Sequence, residues 1–583
     1  MSGGAKSTAL PDVDHDLVFV EEFDALSIEL KVVPGTDDAF DDVILMTSGK
    51  AKYPAKTHAR KVAKELGVKD GLIYLPGLPT QIYEDSDMGP AFRQRRYFYY
   101  IAGADFENCA VTYDLATDNL VLWVSYIDPR QVLWYGTSPG PKECLAKTDL
   151  DEVRYTKDLD AFLRKRLDLD AADVVRVDAS IGSSFCRDKT SRSSSSSSKT
   201  TLYVLHADQI PDILKDEPAA ARSLEVDAFS LLPAMDHARV VKTPYEIDLI
   251  RKANDVSSSA HTAVLRQLKG MTNERDIEAA FLDHCLALHG AKHQAYPVIA
   301  GSGSNAGVLH YFGNDEPLVG RQLVCLDAGA EWDLYASDVT RTFPISGSFT
   351  GEAAAIYKAV QRMQNEVFAR FKPGAPFAYL HLHAAYVAAQ ELLHIGILKG
   401  GSATEILAKG TISAFFPHGL GHHVGLEVHD VLSSDLMSRP PTDADAKKSK
   451  VFVNNTRNVR SQLGGSKRQP VTPDMYATLM NEAAAVSNGD VSAFFYQRDR
   501  RRLLEPGMIV TVEPGIYFCR PYIESFFLSD PTHAQYIDTD VLETYYGVGG
   551  VRIEDCLLVT EDGHDNLTTA PKGDDALRLI NGK

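Results

Sequence analysis

RQLVCLDAGAEWDLYASDVTRTFP (Arg321–Pro344) sets two apolar runs on either side of a polar centre, the pattern of a β-hairpin. A turn centred on Trp332 and Asp333 places Asp327 opposite Asp338. Two aspartates facing each other across a ladder lie about 4.5–5.5 Å apart, where like charges destabilise the sheet. A compensating positive charge is expected. A metal ion is the simplest candidate, because carboxylate oxygens are its natural ligands. The plain alternative is a solvated face carrying two unrelated aspartates, so the decision passes to the rest of the chain.

Three later stretches bear on it. PHGLGHHVGLEVHD (Pro417–Asp430) holds His418, His422, His423 and His429 among three glycines. Gly419 and Gly421 make a good helix there unfavourable, which separates this pattern from the helical HExxH of zinc proteases. A single histidine is more often a satisfied core or surface residue; four among glycines can be aimed at one point. LEPGMIVTVEPGIYF (Leu504–Phe518) reads as a strand between two Pro-Gly breaks, with Ile509, Thr511 and Glu513 on one face. GVGGVRIEDCLLVT (Gly547–Thr560) reads as one further strand, with Arg552, Glu554 and Cys556 on one face. Each glutamate alone fits an exposed strand position. Together, Asp327, Asp338, one histidine, Glu513 and Glu554 make a set able to hold two divalent cations about 3.5–4 Å apart, which would clamp a carbonyl and generate a nucleophilic hydroxide.

The 583 residues are too many for one core, so at least two domains are expected. A formal charge of -19 argues against a nucleic-acid partner, which needs clustered Lys and Arg. Seven scattered cysteines without CxxC spacing read as reduced thiols, and the opening MSGGAKSTALPDVDHD has no apolar core of a secretory signal. No apolar run is long enough for a membrane span. A cytoplasmic location is the expectation.

From about Asp16 to Leu232 the pattern is α/β. Ala55–Val68 is an amphipathic helix leading into the strand GLIYLPG, and RRYFYYIAG, CAVTYDL and LVLWVSYI are β-rich runs. SRSSSSSS, within a loop of about residues 187–199, cannot build a core and is expected to be disordered. A second unit starts at Thr243, where T-P-Y-E gives an N-cap, a proline at the first helical position and a capping glutamate. A helix over Asn273–Leu288 stops at Gly290, YPVIAGSG is strand-like, and Gly351–Phe371 and Ala378–Leu393 are helical. This half reads as α+β, helices on a mostly antiparallel sheet. Val431 to Gln497 is polar and turn-rich, a surface insertion with a short helix near Pro473–Ala485.

The order DAG…SDVTRTF, HGLGHHVGLEVHD, TVEPGIY and VRIED resembles that of the pita-bread metallopeptidases, in the Xaa-Pro aminopeptidase and prolidase branch. The resemblance covers about Thr243–Thr569 apart from the insertion. The region around RRYFYYIAG resembles, less specifically, the creatinase-like α/β N-terminal domain of that branch. It implies an N-terminal domain over 16–232 and an α+β pita-bread domain over 243–575.

By this resemblance Asp327 chelates one metal, Asp338 and Glu554 bridge both, and His422 and Glu513 bind the other. His310 and His429 contact substrate or steady the carbonyl oxygen, His418 lies close by, Arg552 supports the bridging carboxylates, and Glu513 also carries a proton. The implied activity is release of the N-terminal residue from peptides with proline in second position, using two divalent ions, usually Mn(2+), in a homodimer or larger homo-oligomer. A prolidase restricted to Xaa-Pro dipeptides shares these motifs. Methionine aminopeptidase leaves the large N-terminal unit unexplained. The intact ligand set argues against metal-free creatinase and against a catalytically inactive binding protein of the same fold.

Overall fold

The structure is a computed structural model that describes residues 51–127, 129–169, 200–215, 224–437 and 503–582. The first residues of the expected N-terminal domain, the serine-rich loop and the helix expected near 473–485 lie outside the described residues.

The chain enters through helix α1 (Ala55–Leu66), whose buried face carries Ala55, His58, Ala59 and Val62 and which ends at the left-handed Gly67. It then builds a six-stranded mixed sheet from β1 (Leu72–Pro76), β2 (Ala110–Asp114), β3 (Asn119–Val124), β4 (Glu152–Tyr155), β5 (Thr200–Tyr203) and β6 (Leu224–Asp227), in the order β4-β3-β2-β1-β5-β6. β1, β2 and β3 pair antiparallel, whereas β4, β5 and β6 join parallel.

RRYFYYIAG departs from its β-rich reading. Arg96–Ala102 is a helix, α2, ended by Gly103 at φ 64°. Phe98, Tyr99, Tyr100 and Ile101 are all buried, with Tyr100 stacked on His58 at 4.2 Å. The β preference of aromatic residues reflects how well they fit a packed surface. A helix buried all round provides the same burial, and here it wins.

Helix α3 (Leu231–Val240) leads to α4 (Pro244–Gln267), which begins with the expected capping box: Thr243 caps Glu246 N–H, and the Glu246 side chain returns to Thr243 N–H at 2.8 Å. α5 (Glu274–Asp283) follows, then β7 (Ile299–Ser302) and β8 (Leu323–Asp327). The hairpin tip is β9 (Glu331–Trp332) and β10 (Tyr335–Ala336), and β11 (Thr340–Pro344) returns beside β8.

The hairpin register differs from the sequence reading. Its turn is Asp333–Leu334, both at positive φ (45° and 66°), as a two-residue type I′ turn requires. Trp332 pairs with Tyr335, and Asp327 pairs with Thr340 rather than Asp338. Asp338 lies between β10 and β11, outside the ladder.

Helices α6 (Gly351–Phe368) and α7 (Phe377–Ile395) precede β12 (Ile509–Val512), β13 (Gly515–Tyr517), β14 (Gly550–Arg552), β15 (Asp555–Val559) and β16 (His564–Asn566). GVGGVRIEDCLLVT is therefore two strands in two sheets, broken at Ile553–Glu554 so that Glu554 meets Thr340 of β11 in an isolated bridge. The named strand pairs of this half are all antiparallel. Ile356, Val360 and Met363 of α6 pack with Val512, Ile516, Val551, Ile553 and Leu557 in one core. Val256 and Val264 of α4 and Ile277 and Phe281 of α5 cover Val324 and Leu326 in another.

The first residues of the Val431–Gln497 stretch, expected to be a surface insertion, belong to the core. Val431 and Leu436 are buried in the α6–α7 core, with Ser433–Leu436 a short helical turn. No helix among the described residues is long and apolar enough to cross a membrane.

Candidate metal centre

The strand ends deliver four carboxylates to one place. Asp327 closes β8, Asp338 precedes β11, Glu513 follows β12 and Glu554 sits at the β14–β15 break. With His422 they are all buried, none more than 9% exposed. Their ligand atoms form overlapping groups within 4.8 Å: Asp327, Asp338 and Glu554; His422, Glu513 and Glu554; and Asp338, His422 and His429.

The glycine-rich loop reaches the centre by lying along β12. Thr511 N–H donates to the His422 carbonyl at 2.9 Å, His422 N–H to Thr511 Oγ1 at 3.0 Å, and Glu513 N–H to the Leu420 carbonyl at 2.8 Å. A Cβ on Gly421 would stand 1.9 Å from the Thr511 carbonyl oxygen, so glycine is what lets the loop approach and sets His422 beside Glu513.

The His422 ring is oriented by its own loop. Nδ1 lies 3.0 Å from the His423 carbonyl oxygen, which can only accept, so Nδ1 carries the proton and Nε2 presents a lone pair. Nε2 lies 3.1 Å from Asp338, 3.4 Å from Glu513 and 4.0 Å from Glu554. Among the described residues neither Nε2 nor Glu554 Oε1 has a hydrogen-bond partner, and both are buried. A lone pair aimed at carboxylate oxygens is repulsive unless a cation lies between them. Burial pushes the Glu554 carboxyl well above its usual range, and Asp338, Glu513 and Asp327 add to this against Arg552. Asp338 is raised by burial and by the Asp327 and Glu513 charges, partly offset by His422. The donor set fits divalent cations: four carboxylates and an imidazole supply oxygen-rich ligation, and the buried negative charge asks for neutralisation.

A further shell fixes these groups. Arg552 donates to Asp327 Oδ2 at 2.6 Å, to Tyr517 Oη at 2.9 Å and to Thr340 Oγ1 at 3.1 Å. Thr340 in turn donates to Glu554 Oε2 at 2.7 Å. His418 Nδ1 donates to the Gly419 carbonyl at 2.8 Å, leaving Nε2 to accept from Tyr517 at 2.8 Å. His429 is half-buried, its ring 4.4 Å from that of His422 at 81°. His310 lies outside the ligand cluster, on an exposed stretch, with its ring stacked against Phe312 at 6.1 Å.

Sequence reasoning missed Tyr296 and Thr340. The Tyr296 hydroxyl lies 2.7 Å from both Asp327 Oδ1 and Asp338 Oδ1, which is how the two aspartates converge without facing each other in the ladder. Burial and those two charges push its phenol well above its usual range. A lone tyrosine before a strand carries no sequence signal. Thr340 stood in plain view in SDVTRTF, but only its bridge to Glu554 reveals what it does.

The family models agree with this arrangement. That of metallopeptidase family M24 matches residues 248–467 and 480–561, and that of the aminopeptidase P N-terminal domain matches 55–175. The chain belongs to metallopeptidase family M24, the metal-dependent hydrolases, and carries the aminopeptidase P type of N-terminal domain. Within that family it is 49% identical, over 98% of its length and 99% of theirs, to proteins of Colletotrichum graminicola and Metarhizium acridum, each named probable Xaa-Pro aminopeptidase. In fold it resembles Escherichia coli aminopeptidase P, solved zinc-substituted with product: TM-score 0.63, 24% identity, 91% of this chain and 99% of that one covered.

Proposed function

We propose that this chain is a two-metal Xaa-Pro aminopeptidase that releases the N-terminal residue from peptides with proline in second position. The carrying observation is the convergence of Asp327, Asp338, His422, Glu513 and Glu554 around two orphaned buried atoms, His422 Nε2 and Glu554 Oε1, in a chain so similar to proteins of that name. Asp327, Asp338 and Glu554 would hold one ion, and His422 and Glu513, with Asp338 and Glu554 shared, would hold the other. When bound, divalent ions supply Lewis acidity and bring the pKa of water near neutrality. Oxygen-rich ligation with one histidine suits Mn(2+).

The chain's own groups do the rest. Glu513 takes a proton from the attacking water on a carboxylate oxygen and passes it to the departing proline nitrogen. His429, beside His422, donates toward the carbonyl oxygen as charge develops there, and His310 approaches from the exposed side. His418 is held through Tyr517 by Arg552, which also fixes Asp327. An Xaa-Pro bond is a tertiary amide with no N–H and a fixed φ, so a pocket shaped for it need not supply the acceptor that an ordinary peptide bond would use.

The M24 and aminopeptidase P matches favour domains at 16–232 and 243–575. The six described cysteines are free thiols, in keeping with a cytoplasmic location. Exposed Leu133 and Trp134 offer apolar surface for a homodimer or larger assembly. The test is cleavage by Mn-loaded protein of an Xaa-Pro dipeptide and a tripeptide with proline in second position. Release of the first residue from the tripeptide is expected. Cleavage of the dipeptide alone makes the protein a prolidase, and cleavage of neither removes the reading.

A further inference from the structure

The loop that carries His422 and His429 is anchored from outside the metal centre. Asp430, next to His429, is 3% exposed. Its carboxylate accepts from Arg239 Nη2 at 2.6 Å and from Lys242 Nζ at 2.8 Å. Lys242 Nζ also donates to the Arg239 carbonyl at 2.8 Å, closing a buried triad. Arg239, in the last turn of α3, lies over the Tyr97 ring of α2 at 4.7 Å, while Tyr97 donates to Asp236 at 2.6 Å. The two cations therefore sit on the segment that leads from the N-terminal sheet into α4.

From Asp430 the connection to the centre runs through one carbonyl. Asp430 N–H donates to the His423 carbonyl oxygen at 2.9 Å, the same atom that accepts from His422 Nδ1. That carbonyl sets which ring nitrogen of His422 is protonated, and so which one faces Asp338 and Glu513. The fit is close: a Cβ on Gly425 would meet Asp430 Oδ2 at 2.2 Å and Lys242 Nζ at 3.0 Å.

We infer that Arg239 and Lys242 are positioning residues for the metal centre: by pinning Asp430 they hold the His423 carbonyl, and through it the tautomer and aim of His422. A buried ion triad of purely structural purpose would stabilise the fold and leave metal affinity alone. Outer partners that orient a ligand histidine typically change metal affinity or activity about 10–100-fold when removed.

The inference rests on the two-metal reading above, and its readout is chosen to be independent of the substrate. Full-length protein stripped of metal by chelation is titrated with Mn(2+) alone, by calorimetry and by the EPR signal of the free ion, for wild type, Lys242→Met, Lys242→Arg and Gly425→Ala. Lys242→Met should lose about 10–100-fold in Mn(2+) affinity, with Lys242→Arg recovering most of it. Gly425→Ala keeps every charge but displaces the Asp430 carboxylate, so it should lose affinity in the same direction, and it decides the matter alone if Lys242→Met fails to fold. Where turnover is measurable, kcat should fall more than KM rises. Folded Lys242→Met or Gly425→Ala that binds Mn(2+) within twofold of wild type overturns the inference. Tight Mn(2+) binding by the wild type without Xaa-Pro cleavage would instead strike at the proposed substrate and leave the anchor standing.

Discussion

The Nε2 atom of His422, the ring nitrogen turned away from the His423 carbonyl, lies 3.1 Å from Oδ2 of Asp338. Asp338→Asn takes one charge out of the buried acidic cluster, where Asp327 and Glu513 already work against it, while keeping the shape. In chelator, the Asn variant should melt no lower than wild type. With Mn(2+) at about a hundred times its dissociation constant, wild type should gain about 2.7 kcal/mol of stability, and the variant should gain almost nothing. Paired thermal melts with and without Mn(2+) measure both, and a variant with the wild-type metal-induced shift would take Asp338 out of the ligand set.

Tyr296 offers one proton to two aspartates, each 2.7 Å away. Removing a donor from buried carboxylates costs about 1.5–3 kcal/mol per charged hydrogen bond. Tyr296→Phe should therefore keep its far-UV circular dichroism while losing about 10–100-fold in Mn(2+) affinity, read by titration of the chelated protein. Unchanged affinity would reduce Tyr296 to a packing residue.

How much of this was legible in the sequence depends on what each signal measures. The proposed ligand set could be assembled from the sequence because residue type and chain order survive any error in strand register. Register itself did not. Trp332–Asp333 looked like the turn, yet Asp333–Leu334 makes it, with Leu334 at φ 66° where glycine or asparagine is usual. Leu334 is buried against Tyr335 and the N-terminal core, and that burial outweighs the local cost. The same force misled the reading of Arg96–Ala102, whose aromatic residues spoke of burial rather than of strand. Caps, by contrast, are local chemistry, and the box at Thr243 and Glu246 was readable outright.

Thr340 links three groups that sequence kept apart: it faces Asp327 in the ladder, accepts from Arg552 and donates to Glu554. Thr340→Val keeps the volume and removes the hydroxyl, leaving Glu554 Oε2 and Arg552 Nε each without that partner. The expected cost is about 1–3 kcal/mol in stability, together with weaker Mn(2+) binding, because Glu554 is then free to turn. Thr340→Ser should restore both. If urea unfolding and Mn(2+) titration show valine and serine behaving alike, the hydroxyl has no orienting role.

Glu246 joins the N-terminal half to the hairpin. Its carboxylate caps α4, lies 3.4 Å from His58 Nε2 on α1 and accepts from Tyr335 at 3.3 Å. Burial alone would raise its pKa, but His58, Lys61 and Lys242 outweigh burial and bring it down to about 2. A carboxyl depressed in the folded state stabilises the fold above its unfolded pKa, and that contribution drains away as pH falls toward the folded value. From an ordinary value near 4.5 the difference is worth about 3 kcal/mol, present at neutral pH and lost between about pH 4.5 and 2. Glu246→Gln should be destabilised at pH 7 by a similar amount and converge on wild type as the pH approaches 2. Urea unfolding of the chelated proteins from pH 7 down to 2.5 separates this from acid release of metal, and parallel stability curves for the two proteins would show that Glu246 is not the group that carries the acid sensitivity.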